Sequence, residues 1–539
     1  MKAIYSLVAA AMAFSAVSCV DDLDVNNIDP NVDTSATKES VLNKCYASIA
    51  LAGQSGPDGD CDIDGLDGGT TGYVRQLINS QELTTDELIC CWGDPGIPEF
   101  NYNRWNADHP MLQGFYYRLY FSITMCNHFL EKFSGEDAAM TAEVRLLRAM
   151  HYFYLMDGWG NVPFKDKVSN ESGVQMSRAD LFNYVESEIL DCLGNLNDPQ
   201  PKKSTDAGYG RVDKAAAWLL LARLYLNAEV YTGTAKVAEA AEYAKKVIDS
   251  AYKLNTTSYG HWSAYQALFM GDNGETDAAD EFIFPVLQDG QTTASYGTSV
   301  FAMGSTWKSD MRLIFAEGDT VNAGGNNTSQ NWSGNRLRRN LVEKFFPNGN
   351  IPEGKTADLY MFTTGANDDR ALFYGVDRTL DIDANDDFNK GYSTVKFNNF
   401  YATGGTAHDA KFADTDWPLM RKAEAYLIYA EATARQNGGF ATTDGLAALN
   451  QLRARANAST LGSADLNTIC DEWAREFYCE GYRRTTLIRF GKFGGNTGYT
   501  WQWKGGTFAG QNFDTNYNLF AIPTADLNAN TNLVQNPGF

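Results

Sequence analysis

Basic residues are in short supply. The 539-residue chain carries 44 Lys and Arg against 67 Asp and Glu, a formal net charge of −23. That balance argues against a nucleic-acid partner, because neutralising phosphates takes a Lys/Arg surplus. Histidine is equally sparse: His109, His128, His151, His261 and His408 are scattered singly. No H-E-x-x-H, G-x-S-x-G or phosphate-loop pattern is present, so the common hydrolase and nucleotide-binding motifs give no support to an enzyme. No two cysteines form a C-x-x-C pair, which removes the usual structural zinc site. No apolar run reaches the roughly 18 residues of a membrane-spanning helix. What the chain has in excess is aromatic side chains, 30 Phe, 28 Tyr and 11 Trp, together with 48 Gly. Rings in that number either fill a core or line a surface.

The N-terminus indicates export. Met1-Lys2 is a short basic start, and Ile4 to Val17 is apolar, the length of a signal peptide and too short to span a bilayer. Ala16-Val17-Ser18-Cys19 resembles a bacterial lipobox. Residues 1–18 are therefore expected to be a signal peptide and Cys19 the lipidated first residue of the mature chain. Residues 19–36, acidic and Asn-rich, are expected to be a tether to the membrane. Eight further cysteines remain: Cys45, Cys61, Cys90, Cys91, Cys126, Cys192, Cys470 and Cys479. Cys126 and Cys192 lie in helix-like apolar contexts and read as small hydrophobes. The vicinal pair Cys90-Cys91 reads as packing rather than a bridge, while a disulfide elsewhere in an exported chain stays open.

Helical periodicity occupies two regions, about 37–253 and 417–490. Glu143 to Met156 is apolar at 3.6-residue spacing, and Asp157-Gly158-Trp159-Gly160-Asn161-Val162-Pro163 stops it. Arg178–Leu196 follows. Trp218, Leu221, Ala222 and Tyr225 fit the first-helix spacing of a tetratricopeptide repeat, with Val237–Ser250 as the partner helix. Tyr426, Tyr429, Ala430 and Thr433 repeat that spacing, with Asp444–Ala456 as partner. These matches predict stacked helical hairpins, interrupted in sequence and continuous in space. Residues 254–416 change texture: Gly, Asn, Asp, Ser and Thr dominate, with short β-prone runs such as Phe282–Val286. Segments 53–108 and 491–539 share that texture. The fold class expected is mostly α, a tetratricopeptide-like hairpin scaffold supporting a loop-rich irregular face with short β elements, as one domain over 37–539.

Several segments together resemble the SusD/RagB family, surface lipoproteins of Bacteroidetes that bind glycans beside a TonB-dependent transporter. They are the lipobox at Cys19; Arg148-Ala149-x2-Tyr152-Phe153-x-Leu155 with Trp159-Gly160-Asn161-Val162-Pro163; and Arg223-Leu224-Tyr225-Leu226-Asn227-Ala228 with Tyr231-Thr232-Gly233. Pro418-Leu419-Met420-Arg421 leads into Ala423-Glu424-Ala425-Tyr426-Leu427. Arg475-Glu476-Phe477-Tyr478-x-Glu480-Gly481-x-Arg483-Arg484 and Arg489-Phe490-Gly491 follow, and the chain closes Gln535-Asn536-Pro537-Gly538-Phe539. The resemblance spans nearly the whole chain. It implies a non-catalytic protein, lipid-anchored in the outer membrane and facing outward, that hands glycan to a SusC-like transporter.

Within the family the likeness is greatest to the starch-binding founding member. That likeness implies an arc of Trp92, Tyr296 and Trp332, with Asp67 and Arg75 as polar partners. Cys90 stands where a further tryptophan is expected and Pro95 where an asparagine is expected; Asp94 is the candidate replacement for the lost polar group. The chemistry suits a sugar. Rings cover the apolar C–H face at small entropy cost, and carboxylate or guanidinium groups hydrogen-bond the hydroxyl rim. A curved platform selects a helical α-glucan such as starch or maltooligosaccharide; a flat one selects an extended β-glucan, xylan or fructan. Trp105, Trp262, Trp307, Trp501 and Trp503 are expected to be structural, and His151 a core residue. Asp272 to Asp277 offers oxygen ligands suited to a structural calcium ion, but lacks the twelve-residue EF-hand pattern and reads first as a solvated loop. A glycoside hydrolase is the rival class, because carboxylates are abundant. A peptide-binding scaffold is the other.

Overall fold

The computed structural model describes residues 36–58, 61–321 and 324–539. The signal peptide, Cys19 and nearly all of the tether fall outside the described residues.

Helix starts are set by short polar caps. Asp137 accepts from Met140 N at 2.9 Å to open the helix Ala138–Trp159, and Ser177 accepts from Asp180 N to open Arg178–Cys192. Asp213 accepts from Ala215 N at 2.8 Å and from the Tyr252 hydroxyl at 2.8 Å, tying the start of Lys214–Leu226 to a distant turn. The main helices in chain order are α1 Lys38–Ala50, α2 Pro110–Phe133, α3 Ala138–Trp159, α4 Arg178–Cys192, α5 Lys214–Leu226, α6 Val237–Ile248, α7 Lys422–Gln436, α8 Thr443–Arg455, α9 Leu466–Phe477 and α10 Arg483–Arg489. α3 runs to Trp159, beyond the stop expected at Asp157. Gly160, at φ +71°, is where the chain turns.

The helices stack on their neighbours: α2 on α3, α3 on α4, α5 on α6, and α7 on α8. α6 packs equally on α7, so the two helical regions join in space across the insertion between them, as the repeat spacing predicts. Leu221, Ala222 and Tyr225 of the repeat pattern are buried, while Trp218 is only half-buried. Arg223 crosses from α5 to α7, where two of its nitrogens each donate to Glu424 at 2.7 Å.

The insertion is closed at its base by a two-stranded sheet. β2 Phe282–Val286 pairs antiparallel with β4 Trp417–Arg421, which runs directly into α7. Pro285 and Pro418 face each other, and neither can donate to the ladder, which accounts for the register shift beside them. A second pair, β1 Leu88–Cys90 with β3 Asn335–Leu337, joins the first loop region to the insertion. At the β2–β4 pair lies a fully buried ion cluster, with Arg421 at the end of β4 and Glu281 just ahead of β2. Arg421 bonds Glu281 (3.0 Å), Glu476 (2.7 Å) and Glu480 (2.8 Å), and Arg455 bonds Glu281 at 2.9 Å. Burial by itself would raise the Glu476 carboxyl; Arg455, Arg421 and Arg370 reverse that and hold it well below the ordinary carboxylate range.

All eight described cysteines are free thiols, the vicinal pair included. Trp105, Trp307 and Trp501 are fully buried and Trp262 nearly so. His151 is buried in α3 against the Tyr73 hydroxyl, and burial lowers its pKa to about 3, so it stays neutral. No described helix is long and apolar enough to cross a membrane.

Candidate glycan-binding site and its relatives

Five separated segments converge on one part of the loop-rich face. The short helix Gly68–Thr71 is capped by Asp67, whose carboxylate accepts from Thr70 N at 2.9 Å and Thr70 Oγ1 at 2.7 Å. Four residues on, Arg75 lies on the helix Tyr73–Ile78. A Cβ built on Gly69 would meet Arg75 Nη1 at 2.5 Å and Asp67 Oδ1 at 3.0 Å, so the two charged groups approach each other over a bare glycine. Burial acts most strongly on Arg75 and lowers its pKa, against the pull of Asp67 and Asp94. Its guanidinium lies 5.0 Å from the Phe301 ring centroid. Its Nε is buried without a partner, and no described residue accepts a hydrogen bond from its side chain.

Trp92 follows β1, and β1 pairs with β3, so Trp92 is delivered beside the residues that precede β3. Cys91 N donates to Gly334 O at 3.0 Å. A Cβ on Gly334 would land 2.2 Å from Trp92 Nε1, and Gly334 has φ +116°, so both space and conformation call for glycine. Trp332 lies two residues earlier. Its backbone N–H donates to Gly304 O at 2.8 Å, and its Nε1 to Gln330 Oε1 at 2.9 Å.

Tyr296 lies 6.4 Å from Trp332 between ring centroids, with the planes tilted at 44°. Its hydroxyl donates to Asp58 at 2.9 Å. Lys411 stands 4.9 Å from the ring and pairs with Asp58 at 3.0 Å, and Phe412 meets the ring edge-on at 5.1 Å. The three arc rings are part-exposed, as is Arg75; Asp67 and Asp94 are exposed.

One short helix, Ser299–Gly304, underlies the group. Phe301 touches both Arg75 and Trp92 (centroids 6.3 Å), and Gly304 lies against the Trp332 indole. Phe301, Lys411, Phe412 and Asp58 escape the sequence reading because no spacing links them to the arc; only the chain's tertiary path does. Asp94 makes no side-chain hydrogen bond among the described residues. Cys90 is wholly buried in β1, its backbone N–H and C=O both bonded to Asn101 and its thiol pushed up to about 12 by burial. It offers no surface where a further ring is expected.

The two acids considered for calcium are apart in role. Asp272 accepts from Ala402 N, Thr403 N and Thr403 Oγ1, fixing a loop. Asp277 pairs with Lys203 at 2.9 Å. Among the described residues no three His, Cys, Asp or Glu side chains gather in a metal-holding group.

Known proteins align closely with this chain. Residues 280–539 match the family described as the SusD family, and residues 80–226 match a family described as starch-binding, associating with the outer membrane. The starch-binding protein SusD of Bacteroides thetaiotaomicron is 39% identical, over 100% of this chain and 99% of its own. Among solved structures, a SusD homolog from the same organism superposes with a TM-score of 0.66 at 19% identity, over 93% of this chain and 96% of that one. A surface glycan-binding protein from B. thetaiotaomicron in complex with laminarihexaose superposes with a TM-score of 0.63 at 18% identity, over 93% and 98%. Those two likenesses establish the mostly helical scaffold; the full-length identity establishes the kinship, and the chain belongs to the SusD family.

Proposed function

We propose that this protein is a non-catalytic glycan-binding lipoprotein of the outer-membrane surface. It captures starch or maltooligosaccharide and passes it to a SusC-like TonB-dependent transporter. The carrying observation is the Tyr296–Trp332 pair, tilted at 44°. Rings set at that angle form a curved platform, which follows the turn of an α-1,4-glucan better than the flat ribbon of a β-linked chain. Trp92 extends the platform. Arg75, with its guanidinium N–H groups unspent, supplies charge-assisted donors for the hydroxyl rim. Asp67 keeps acceptor capacity beyond its cap bonds, and Asp94 is uncommitted at the edge. The net charge of −23 suits a neutral ligand and opposes an anionic one.

The relative named for starch binding supports the α-glucan. The relative solved with laminarihexaose supports a second reading, a β-glucan on the same arc. Native affinity gels with amylopectin, pullulan, laminarin, xylan and levan separate the two. Retardation by amylopectin and pullulan is expected; retardation by laminarin alone would replace starch with a β-glucan. Release of reducing sugar from starch by the purified protein would overturn the non-catalytic reading. Anchoring through Cys19 is tested by Cys19→Ala, which should leave the protein unlipidated and released from the membrane fraction.

A further inference from the structure

A cleft of about 400 Å³ opens on the insertion, away from the arc residues. Its walls are the turn Ser258–Ser263, the hairpin tip Phe315–Glu317 and the helix Leu359–Ala366, with Asn457 at one end. None of these residues belongs to the arc. The volume falls in the range of small-molecule sites.

Its lining pairs aromatic surface with uncommitted polar groups. Tyr360 is 40% exposed. The His261 ring stacks on Phe315 at 4.0 Å, with Trp262 packed edge-on behind at 4.8 Å. Gln266 is only 6% exposed; its carbonyl accepts from Ser263 N at 3.0 Å, while its amide N–H groups donate to no described residue. Asp369 accepts from Asn457 through one oxygen at 2.7 Å, which leaves the other available. Burial raises the Asp369 carboxyl. No Lys or Arg lines the cleft, so an anionic ligand has nothing to meet it. Asp368 is spent on Arg370 at 2.8 Å.

We infer that this cleft is a second saccharide subsite, taking one or two neutral sugar rings stacked on Tyr360 and hydrogen-bonded by Gln266 and Asp369. The inference rests on the reading of this protein as a glycan binder, not on the placement of the arc. Its consequence is avidity: two subsites on one chain hold a long polymer more tightly than either holds a short oligosaccharide.

Hydrogen–deuterium exchange of the whole protein, with maltoheptaose and separately with laminarihexaose, reads the two sites independently. Segments 67–75, 296–304 and 329–334 report the arc; segments 258–269 and 359–369 report the cleft. Either glycan should protect the cleft segments in wild type and in Trp332→Ala, but not in Tyr360→Ala. Tyr360→Ala should also weaken retention on amylopectin gels several-fold while leaving arc protection intact. If the cleft segments are unprotected by both glycans in wild type, the subsite is overturned whether or not the arc binds. Protection there by a cationic chitosan oligomer but by neither neutral glycan would overturn the ligand class. If the arc is unprotected while the cleft responds, the subsite stands and the arc assignment falls.

Discussion

The backbone N–H of Arg75 donates to the carbonyl of Gly297 at 2.9 Å. That one bond joins the segment carrying Asp67 and Arg75 to the loop carrying Tyr296, more than 200 residues away in sequence. Gly72 makes the approach possible, since a Cβ there would lie 3.0 Å from Gly297 Cα. The relative placement of the polar partners and of one arc ring therefore depends on a close contact between two glycines.

Gly72→Val should force the two segments apart. Glycan affinity should fall about tenfold, or roughly 1.4 kcal/mol, with the far-UV spectrum unchanged. Isothermal titration with maltoheptaose measures this; unchanged affinity would show that the Arg75–Tyr296 spacing does not matter.

Gly334→Ala should displace the Trp92 indole and strain the backbone at φ +116°. The strain costs about 1–3 kcal/mol, readable by urea denaturation, and glycan affinity should drop with it. Trp332→Ala should weaken binding more with little loss of stability, because its ring is part-exposed. Equal losses of stability in both variants would contradict that division.

Arg421→Ala should be severely destabilising. It leaves Glu281, Glu476 and Glu480 buried around a missing charge, a change costing about 3–5 kcal/mol. The expected outcome is a large fall in the denaturation midpoint or an insoluble protein; a variant as stable as wild type would refute the cluster's role.

Acid should undo the same cluster, which extends to Glu472 through Arg370, paired with both Glu472 (2.7 Å) and Glu476 (3.2 Å). Glu472 is buried, which by itself would raise its carboxyl; Arg370, Arg475 and Arg453 instead lower it to about 2. Unfolded, a glutamate titrates near about 4.3. A carboxyl depressed in the folded state contributes stability that is present in full above the unfolded value and is lost as pH falls toward the folded one. Thermal unfolding followed between pH 6 and pH 2 should show stability declining from about pH 4 downward; a flat profile there would contradict the ion pairs.

The helical scaffold was legible because burial writes a period into sequence. The Trp218-to-Tyr225 spacing marks α5, the Asp157–Pro163 run marks the end of α3 within a few residues, and each hairpin partner lies close by in the chain. Two such helices can bury their faces only on one another. The arc residues were legible only through likeness to a known family, since an isolated Trp in a Gly-rich loop has no period to read.

Left to itself, the sequence determined the helices, their pairing, the loss of periodicity over 254–416 and an acidic surface. Tertiary structure decided the rest. It brought Trp92 beside Gly334 through the β1–β3 pairing, set Tyr296 at 44° to Trp332, and put Phe301 beneath both Arg75 and Trp92. It also buried Cys90 and committed Asp272 to a loop. The physical reason is separation along the chain. A helix is specified by residues three and four apart, whereas the angle between two rings on different loops depends on every contact that fixes those loops.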